Sequence, residues 1–338
     1  MNLNTLWFVL VTVLFTGFFF LEGFDYGVGM LLPFLGRSDI ERRAILNTIG
    51  PVWDANEVWM ITAGGALFAS FPQVYATLFS GFYLALVLML VALILRGVAF
   101  EFRHQRSNPA WHAFWDWAVF FGSLLPALLW GVTVGNLLRG FAIQQDMNYY
   151  GGVLPLLNSY ALLGGLVFVS LFLMHGANFL GLKAPEEIAA RARRVALTGW
   201  VVATVLTVAF VLWSFVATDA LTKPSVNGLI PAVLTTLALL TTGYLERTRR
   251  GGWAFVSGSL TIVLATCMVF AGLYPRILIS SLNPNWSLTI YNAASSPYTL
   301  KVMSIVAVIF IPIVLAYQIW TYWIFRKRVQ AKPEQLTY

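Results

Sequence analysis

Long apolar runs separated by short polar segments cover most of the chain. A helix needs roughly 20 apolar residues to cross the hydrocarbon core of a bilayer, and about nine runs approach or exceed that length. They lie near residues 5–34, 55–71, 74–95, 113–138, 155–182, 196–217, 229–245, 253–272 and 299–325. The pattern predicts an all-α polytopic membrane protein of about nine transmembrane helices. Between the second and third runs, Pro72 predicts a tight turn because proline cannot donate within a continuing helix.

Basic residues are distributed unequally between the two sides of these runs. The segments after the odd-numbered runs, including the C-terminal tail, carry 17 of the 21 lysines and arginines. The four basic residues on the other side are Arg139, Lys223, Arg276 and Lys301. Cytoplasmic loops hold the excess of basic residues in membrane proteins. The N-terminus is therefore predicted outside and the C-terminus inside.

A reporter fused after Tyr338 tests this orientation directly. A fluorescent protein that folds only in the cytoplasm should fluoresce when it is fused at this position. A phosphatase that is active only after export should be inactive at the same position. The reason is the basic excess on that side, which opposes translocation. Loss of the fluorescence together with a gain of phosphatase activity would show that the orientation is inverted.

The composition supports a membrane protein and argues against other classes. Hydrophobic residues make up 59% of the chain and charged residues only 10%, too few to cover the surface of a soluble globule. The net charge of +7 comes largely from clusters between apolar runs, which is typical of orientation signals and argues against nucleic-acid binding. A single cysteine, Cys267, excludes an internal disulfide and a thiolate metal cluster.

Two segments about 152 residues apart resemble each other. The polar end of the first run, Leu21–Asp25, precedes an acidic and then basic stretch at 39–43, and the same order recurs at 174–178 and 186–194. Four spans return the chain to its starting side, so such a repeat would be parallel. This predicts a four-helix bundle at residues 1–141, a second at 142–272, and an outer loop, ninth span and cytoplasmic tail at 273–338. Chance similarity in a biased composition is the alternative.

Four carboxylates at one end of the first two spans are the main candidates for chemistry. Glu22 and Asp25 lie three residues apart on the first span, and Asp54 and Glu57 repeat that spacing on the second. Residues three apart share a helix face, and the orientation places both pairs in the inner part of the membrane. An ionisable group inside a span costs roughly 2.5–3.5 kcal/mol. Desolvation and like charge favour the protonated form, so these groups could exchange protons near neutral pH. We therefore expect a proton path from the cytoplasm.

A packing role is the alternative for the same carboxylates. Glu22 and Asp25 would then pair with Arg96, Arg103 or an interfacial arginine and fix the positions of helices. For Asp116, which lies between two tryptophans, we favour such a structural role. It is predicted to stabilise the N-terminus of its helix through the helix dipole, next to an interfacial aromatic belt.

The histidines argue against a redox centre ligated by this chain. His104 and His112 lie in the loop after the third span, and only His175 lies inside a span. A membrane haem normally needs ligands held at depth, and the adjacent Met174 points to a different helix face. We expect no metal or haem ligated by the chain, and a hydrogen bond between helices for His175.

Small residues predict close approaches between helices. Gly23 and Gly27 have the small-xxx-small spacing that lets transmembrane backbones pack closely. Gly64 and Gly65 suit a second close crossing. The glycines at 23, 27 and 29 do not form a phosphate-binding loop, because no strand precedes them.

Three ordered motifs resemble subunit II of the cytochrome bd quinol oxidases. They are GFDYGVGM at Gly23–Met30, PVWDANEVW at Pro51–Trp59 and TAGGALFA at Thr62–Ala69. The likeness is dense over the first 140 residues and includes Trp115–Trp117 and Gly135–Leu138. Beyond residue 140 it depends mainly on the number of spans and the length.

The resemblance implies an enzyme complex in a prokaryotic cytoplasmic membrane. In that family, subunit II pairs with a related subunit I that holds haems b and d, binds quinol on the outer side and reduces oxygen to water. The resemblance further implies a small single-span accessory subunit, and an electrogenic reaction that contributes to the proton motive force. Asp25 and Asp54 match positions implicated in carrying cytoplasmic protons toward the haems, whereas Glu57 lies where the family often has an uncharged polar residue.

Two other functions fit parts of the sequence. A secondary ion-coupled transporter would explain parallel repeats and intramembrane carboxylates, and it should have helices interrupted near the midplane. A purely structural membrane scaffold would explain the helices but not Asp25 and Asp54. The expected proton path distinguishes an oxidase subunit from both.

Overall fold

Helices dominate the computed structural model, which describes residues 2–222 and 229–337. Two residues used above, Lys223 in the orientation count and Tyr338 at the fusion point, lie outside this part. The described helices are α1 Leu3–Leu35, α2 Asp39–Ile49, α3 Trp53–Ser70, α4 Pro72–Gly81, α5 Tyr83–Phe102, α6 Pro109–Arg139, α7 Ser159–Lys183, α8 Glu186–Ala217, α9 Leu229–Arg247, α10 Gly251–Leu273 and α11 Pro297–Ile324. A short antiparallel hairpin pairs β1 Arg276–Leu278 with β2 Leu288–Thr289.

Eight helices in the described part are long and apolar enough to cross a membrane, namely α1 and α5–α11. The all-α multi-pass architecture predicted from the hydrophobic pattern is therefore confirmed. Helix α3 is not among the eight, because Asp54, Asn56 and Glu57 lower its mean hydropathy over only 18 residues. The number nine, which counts α3 as a span, stays a prediction.

The predicted third span differs from the observed helices. A helix break occurs where Pro72 predicted one, since α3 ends at Ser70 and α4 begins at Pro72. The run at 74–95 is then divided again, because α4 ends at Gly81 and α5 starts at Tyr83. A Cβ atom at Gly81 would lie 3.0 Å from the ring of Tyr149. Because Gly81 has no side chain, the loop that contains Tyr149 can pack against this second break. Hydropathy alone does not predict this contact.

Residues 39–43 were predicted to be a polar segment between spans, but they form the first part of helix α2. The hydroxyl of Ser38 caps this helix by accepting a hydrogen bond from the Glu41 amide. Its apolar face buries Ile45 and Ile49, so α2 is a short amphipathic helix that a search for long apolar runs misses. The corresponding acidic and basic stretch in the second half is the beginning of α8, which continues without a break.

Helix α1 lies at the centre of the packing. It contacts α3, α6, α7 and α10, and α7 in turn packs against α6 and α8. Helix α11 lies at the periphery, where it touches α1 and α3 and leaves most of its surface exposed. The ends of α1 and α7, the start of α8, helix α2 and the C-terminal tail share one side of the molecule, which we call the basic side.

The segment that follows α10, predicted as an outer loop, packs against the rest of the chain. Its buried residues include Leu278 and Ile290. The amide of Phe141 donates to the carbonyl of Ile279 over 2.8 Å, and the Ser280 hydroxyl donates to the Ile143 carbonyl over 2.7 Å. The hairpin and the loop after α6 therefore form one layer over the end of the bundle opposite the basic side.

Glycines mediate the contact between α1 and α7. A Cβ atom at Gly27 would lie 1.9 Å from the carbonyl oxygen of Phe172, and one at Gly176 would lie 2.4 Å from the carbonyl carbon of Gly27. A Cβ at Gly23 would lie 2.7 Å from the Phe172 ring. The crossing expected at Gly64 and Gly65 is absent from the described part, where a Cβ atom added to either glycine would meet nothing within 4 Å, because that part of α3 faces outward.

Replacing Gly27 with alanine is expected to destabilise the protein by about 1–3 kcal/mol. The added methyl group would clash with the backbone of α7, which cannot move without disturbing the whole crossing. The matched control is Gly252→Ala, since a Cβ at this helical glycine meets nothing within 4 Å. Thermal unfolding of the purified assembly should show a lower midpoint for Gly27→Ala alone. Equal midpoints for the two variants would contradict the close crossing.

Candidate functional site

A fully buried arginine joins two of the four candidate carboxylates. Arg96 of α5 donates through Nη1 to Oε1 of Glu22, which is also fully buried, and to Oε1 of Glu57 over 3.0 Å. Its guanidinium lies 4.9 Å from the centre of the Tyr26 ring and 6.0 Å from that of Trp53. Helices α1, α3 and α5 meet at this group. The pairing of Glu22 with Arg96, one of the alternatives in the sequence analysis, is therefore present.

Asp25 is bound by an amide instead of an arginine. The Nδ2 group of Asn56 donates to Oδ2 of Asp25 over 2.7 Å, and both side chains are fully buried. The Oδ1 atom of Asn56 accepts hydrogen bonds from the hydroxyl of Tyr322 over 2.9 Å and from Nε2 of Gln318 over 3.3 Å. Helix α11 thus reaches the site from the opposite end of the sequence.

Asn56, which bonds to Asp25, and Gln318 and Tyr322, which bond to Asn56, were not among the predicted site residues. Asn56 carried a signal, since it lies between Asp54 and Glu57 and is the only amide side chain in residues 53–70. Gln318 and Tyr322 carried none, because a contact across more than 260 residues leaves no local pattern. Their position shows that the peripheral helix completes the polar site.

Asp54 lies apart from the buried groups. It is exposed in the first turn of α3 on the basic side, whereas the side chain of Glu57, one turn further, is 17% exposed. Glu22 and Asp25 lie deeper and are fully buried. The four carboxylates therefore form a series from the surface at Asp54, through Glu57, to the interior. We call this series the carboxylate path.

Several polar atoms at the inner end of the carboxylate path lack a partner. Within the described residues, no donor reaches Oε2 of Glu22 or Oδ1 of Asp25, and the Tyr26 hydroxyl and two nitrogens of Arg96 are also without a hydrogen bond. A buried polar group without a partner costs about 1–3 kcal/mol. Such groups are usually retained for function or satisfied by ordered water. The interior around Asp25 therefore contains several buried polar atoms besides those joined by direct hydrogen bonds.

The expected role of Asp116 as a helix N-terminal group is wrong. Helix α6 begins at Pro109, so this carboxylate lies two turns inside the helix, where the dipole effect has largely faded. Asp116 is 1% exposed and accepts from Nε of Arg103 over 2.7 Å and from Nη1 of Arg42 over 2.8 Å. Arg42 lies on α2 and Arg103 directly follows α5, so Asp116 fixes α2 and the end of α5 against α6.

Asp39 extends this ion pair to helix α2. Its Oδ1 atom accepts from Nη2 of Arg103 over 2.8 Å and lies 3.0 Å from Nδ1 of His112. Burial alone would raise the pKa of Asp39, but the hydrogen bond and charge of Arg103 outweigh it and lower that pKa. The stabilising contribution of this carboxylate is therefore present at neutral pH and is lost when the pH falls through the lowered pKa.

His175 forms the hydrogen bond between helices that the sequence predicted. Its Nε2 atom lies 3.1 Å from the carbonyl oxygen of Phe20 on α1, and since a carbonyl only accepts, Nε2 donates. The imidazole stacks on Phe255, with the ring centres 4.7 Å apart. Among the residues that the structure describes, no group of three His, Cys, Asp or Glu side chains could hold a metal ion.

Comparisons with known proteins agree with these features. The family model described as "Cytochrome bd terminal oxidase subunit II" matches residues 3–325. The chain is 45% identical to "Cytochrome bd ubiquinol oxidase subunit 2" of Bacillus subtilis, with 100% of this chain and 99% of that protein covered. It is 40% identical to "Cytochrome bd-I ubiquinol oxidase subunit 2" of Escherichia coli strain K12, with coverage of 95% and 93%. A chain of the bd oxidase from Geobacillus thermodenitrificans has a similar fold, with a TM-score of 0.75 at 19% identity, covering 97% of this chain and 100% of that one.

Proposed function

The chain belongs to the cytochrome bd terminal oxidase subunit II family, and we propose that it scaffolds a haem-bearing subunit I in a prokaryotic cytoplasmic membrane and supplies it with cytoplasmic protons. The relatives named above are subunits of a quinol oxidase complex, so the proposal concerns the division of labour inside such a complex. Oxygen reduction consumes protons, and the proposed role of this chain is to deliver them from the basic side.

The carboxylate path is the observation that carries the proposal. One guanidinium, that of Arg96, contacts both Glu22 and Glu57, and Asp25 lies about one helical turn from Glu22. A single positive charge balances only one of these carboxylates, and an uncompensated buried charge is strongly unfavourable. The site therefore favours bound protons. A series of groups that hold protons and begins at an exposed carboxylate is what proton delivery requires.

We propose a direction for proton movement along this series. A proton would enter at Asp54 on the cytoplasmic surface, pass to Glu57 and reach the region of Glu22 and Asp25. Asn56 positions Asp25 through the 2.7 Å hydrogen bond and leaves its Oδ1 atom available. Proton uptake from inside, together with quinol oxidation outside, would make the reaction electrogenic and contribute to the proton motive force.

The haems are assigned to the partner by the same proposal. When bound there, haems b and d supply electron transfer and oxygen reduction. Two histidines lie in the described spans: His112, predicted in a loop, is in the first turn of α6, and His175 lies deep in α7. The Nε2 atom of His112 is bonded to the Arg106 carbonyl and that of His175 to the Phe20 carbonyl. The family resemblance also supports a small single-span accessory subunit in the complex.

The transporter alternative has less support. Transporters of this kind use discontinuous helices near the midplane, whereas α1 and α7 run without a break over Leu3–Leu35 and Ser159–Lys183. Two of the four acidic groups, Asp54 and Glu57, also lie in the first two turns of α3 rather than at its middle. No observation in the structure favours a transporter over an oxidase subunit.

Purification of the tagged chain from its native membrane tests the assignment of partners. We expect a haem-containing subunit to co-purify in mild detergent, with a visible haem spectrum and quinol-dependent oxygen consumption. The chain expressed without its partner should show no haem absorbance. Recovery of the native chain alone, without a haem protein, would contradict the scaffold role.

A further inference from the structure

A crevice of about 540 Å³ lies on the side of the helical bundle, between α1, α6, α7 and α8. It is open along one side and lies apart from the carboxylate path. Most of its walls are apolar and include Leu31, Phe34, Leu124, Leu173 and Val202. On a surface that faces lipid, an open apolar crevice of this kind accommodates a hydrocarbon chain.

An unpaired arginine stands at the end of the crevice on the basic side. Arg194 lines the crevice from the third turn of α8 and is exposed. Its neighbours are neutralised, since Arg191 pairs with Glu41 over 2.7 Å and Arg193 pairs with Glu186. No carboxylate forms an ion pair with Arg194 in residues 2–222 or 229–337. Its positive charge is therefore available to a ligand.

Polarity changes in order along helix α8. From the basic side inward, the crevice meets Arg194, then Thr198, then Val202, each one turn apart. The Thr198 hydroxyl donates to the Arg194 carbonyl over 3.3 Å, so its oxygen can still accept a hydrogen bond from a ligand. The sequence from cation to hydroxyl to apolar wall matches a molecule with an anionic head and a hydrocarbon tail.

We propose that this crevice is a binding site for an anionic phospholipid of the cytoplasmic leaflet. Its phosphate would bind Arg194, since guanidinium groups bind phosphate oxygens through paired hydrogen bonds. A zwitterionic headgroup also carries an ammonium group, which the same guanidinium repels. One acyl chain would lie against Leu173, Val202 and Phe34. Anionic lipids of the cytoplasmic leaflet attract basic residues at the membrane surface, which supplies the charge complementarity. The site is independent of proton delivery and goes beyond the proposed function.

Native mass spectrometry of the purified complex, titrated with phosphatidylglycerol or phosphatidylcholine of the same acyl chains, tests the proposal. We expect the wild-type complex to retain phosphatidylglycerol about fivefold more strongly, the factor that one basic residue near the surface provides. Arg194→Gln should abolish this preference. The matched control, Arg250→Gln, removes an exposed arginine from the same side but outside the crevice and should keep it.

A second variant tests the apolar part of the site. Val202→Trp should fill the crevice and reduce retention of both lipids, because the acyl chain loses its place. A phosphatidylglycerol preference that survives Arg194→Gln, or is lost equally in Arg250→Gln, would overturn the proposal. Unchanged lipid retention by Val202→Trp would also overturn it. Failure here would leave the proton path untouched, since turnover is not the quantity measured.

Discussion

The Asp25→Asn variant of the assembled oxidase is expected to lose at least about tenfold in quinol-dependent oxygen consumption while its haem content stays unchanged. Asparagine keeps the size of the side chain and can still bond to Asn56, but it cannot take up and release a proton. Removal of a positioned proton-transfer group typically costs 10²- to 10⁴-fold, and nearby Glu22 provides a possible partial substitute. Oxygen uptake by the purified complex and its visible haem spectrum are the two measurements.

The haem spectrum separates chemistry from packing in this experiment. Low turnover with normal haem content supports proton delivery, whereas loss of haem would favour a purely structural role for Asp25. Asp54→Asn, at the entrance of the carboxylate path, should also lower turnover. Asp146→Asn is the matched control, because this carboxylate is exposed on the opposite side of the molecule. Normal turnover in both the Asp25 and Asp54 variants, with normal haem, would refute the path.

The Arg96→Leu variant is expected to destabilise the protein by about 3–5 kcal/mol, the usual cost of breaking a buried ion pair by removing one partner. The leucine would leave Glu22 buried without its counter-charge and would also remove the contact with the Tyr26 ring. For a marginally stable fold this is a large fraction of the total free energy of unfolding. The yield of assembled complex and its thermal midpoint should both fall.

A compensating substitution gives this second prediction a sharp control. Adding Glu22→Gln to Arg96→Leu removes the unpaired charge, so the double variant should recover part of the lost stability. Contacting residues commonly show interaction energies of about 0.5–3 kcal/mol in such cycles. Arg250→Leu, at an exposed arginine, should have little effect on the midpoint. Strictly additive effects of the two substitutions would mean that Arg96 and Glu22 do not stabilise each other.

Together these variants distinguish two functions of one cluster. Arg96 joins α5 to α1 through Glu22 and serves the fold, whereas Asp25 has no arginine within direct bonding distance among the described residues and keeps an unbonded oxygen. Loss of stability is therefore expected mainly at Arg96. Loss of turnover with intact assembly is expected mainly at Asp25.

Local patterns predicted the helices that cross the membrane better than those that do not. Most of the predicted runs correspond to helices with similar bounds, for example 229–245 and Leu229–Arg247, because each is long and apolar by itself. The pattern of long apolar runs did not predict α2, because this helix is short and amphipathic. The pattern also did not predict the break between α4 and α5, because that break depends on the loop after α6, which packs against Gly81.

The sequence by itself determined the membrane architecture, the resemblance that the family comparisons confirmed, and the four carboxylates with their helical spacing. Hydropathy, charge distribution and short motifs are local properties, so they can be identified from the sequence alone. Only the tertiary structure decided that Arg96 holds Glu22 and Glu57, that Asn56 bonds to Asp25 and is itself bonded by Gln318 and Tyr322, and that Asp116 is held by two arginines. These contacts join helices far apart in sequence, and the free energy of burying a charge depends on which partner reaches it.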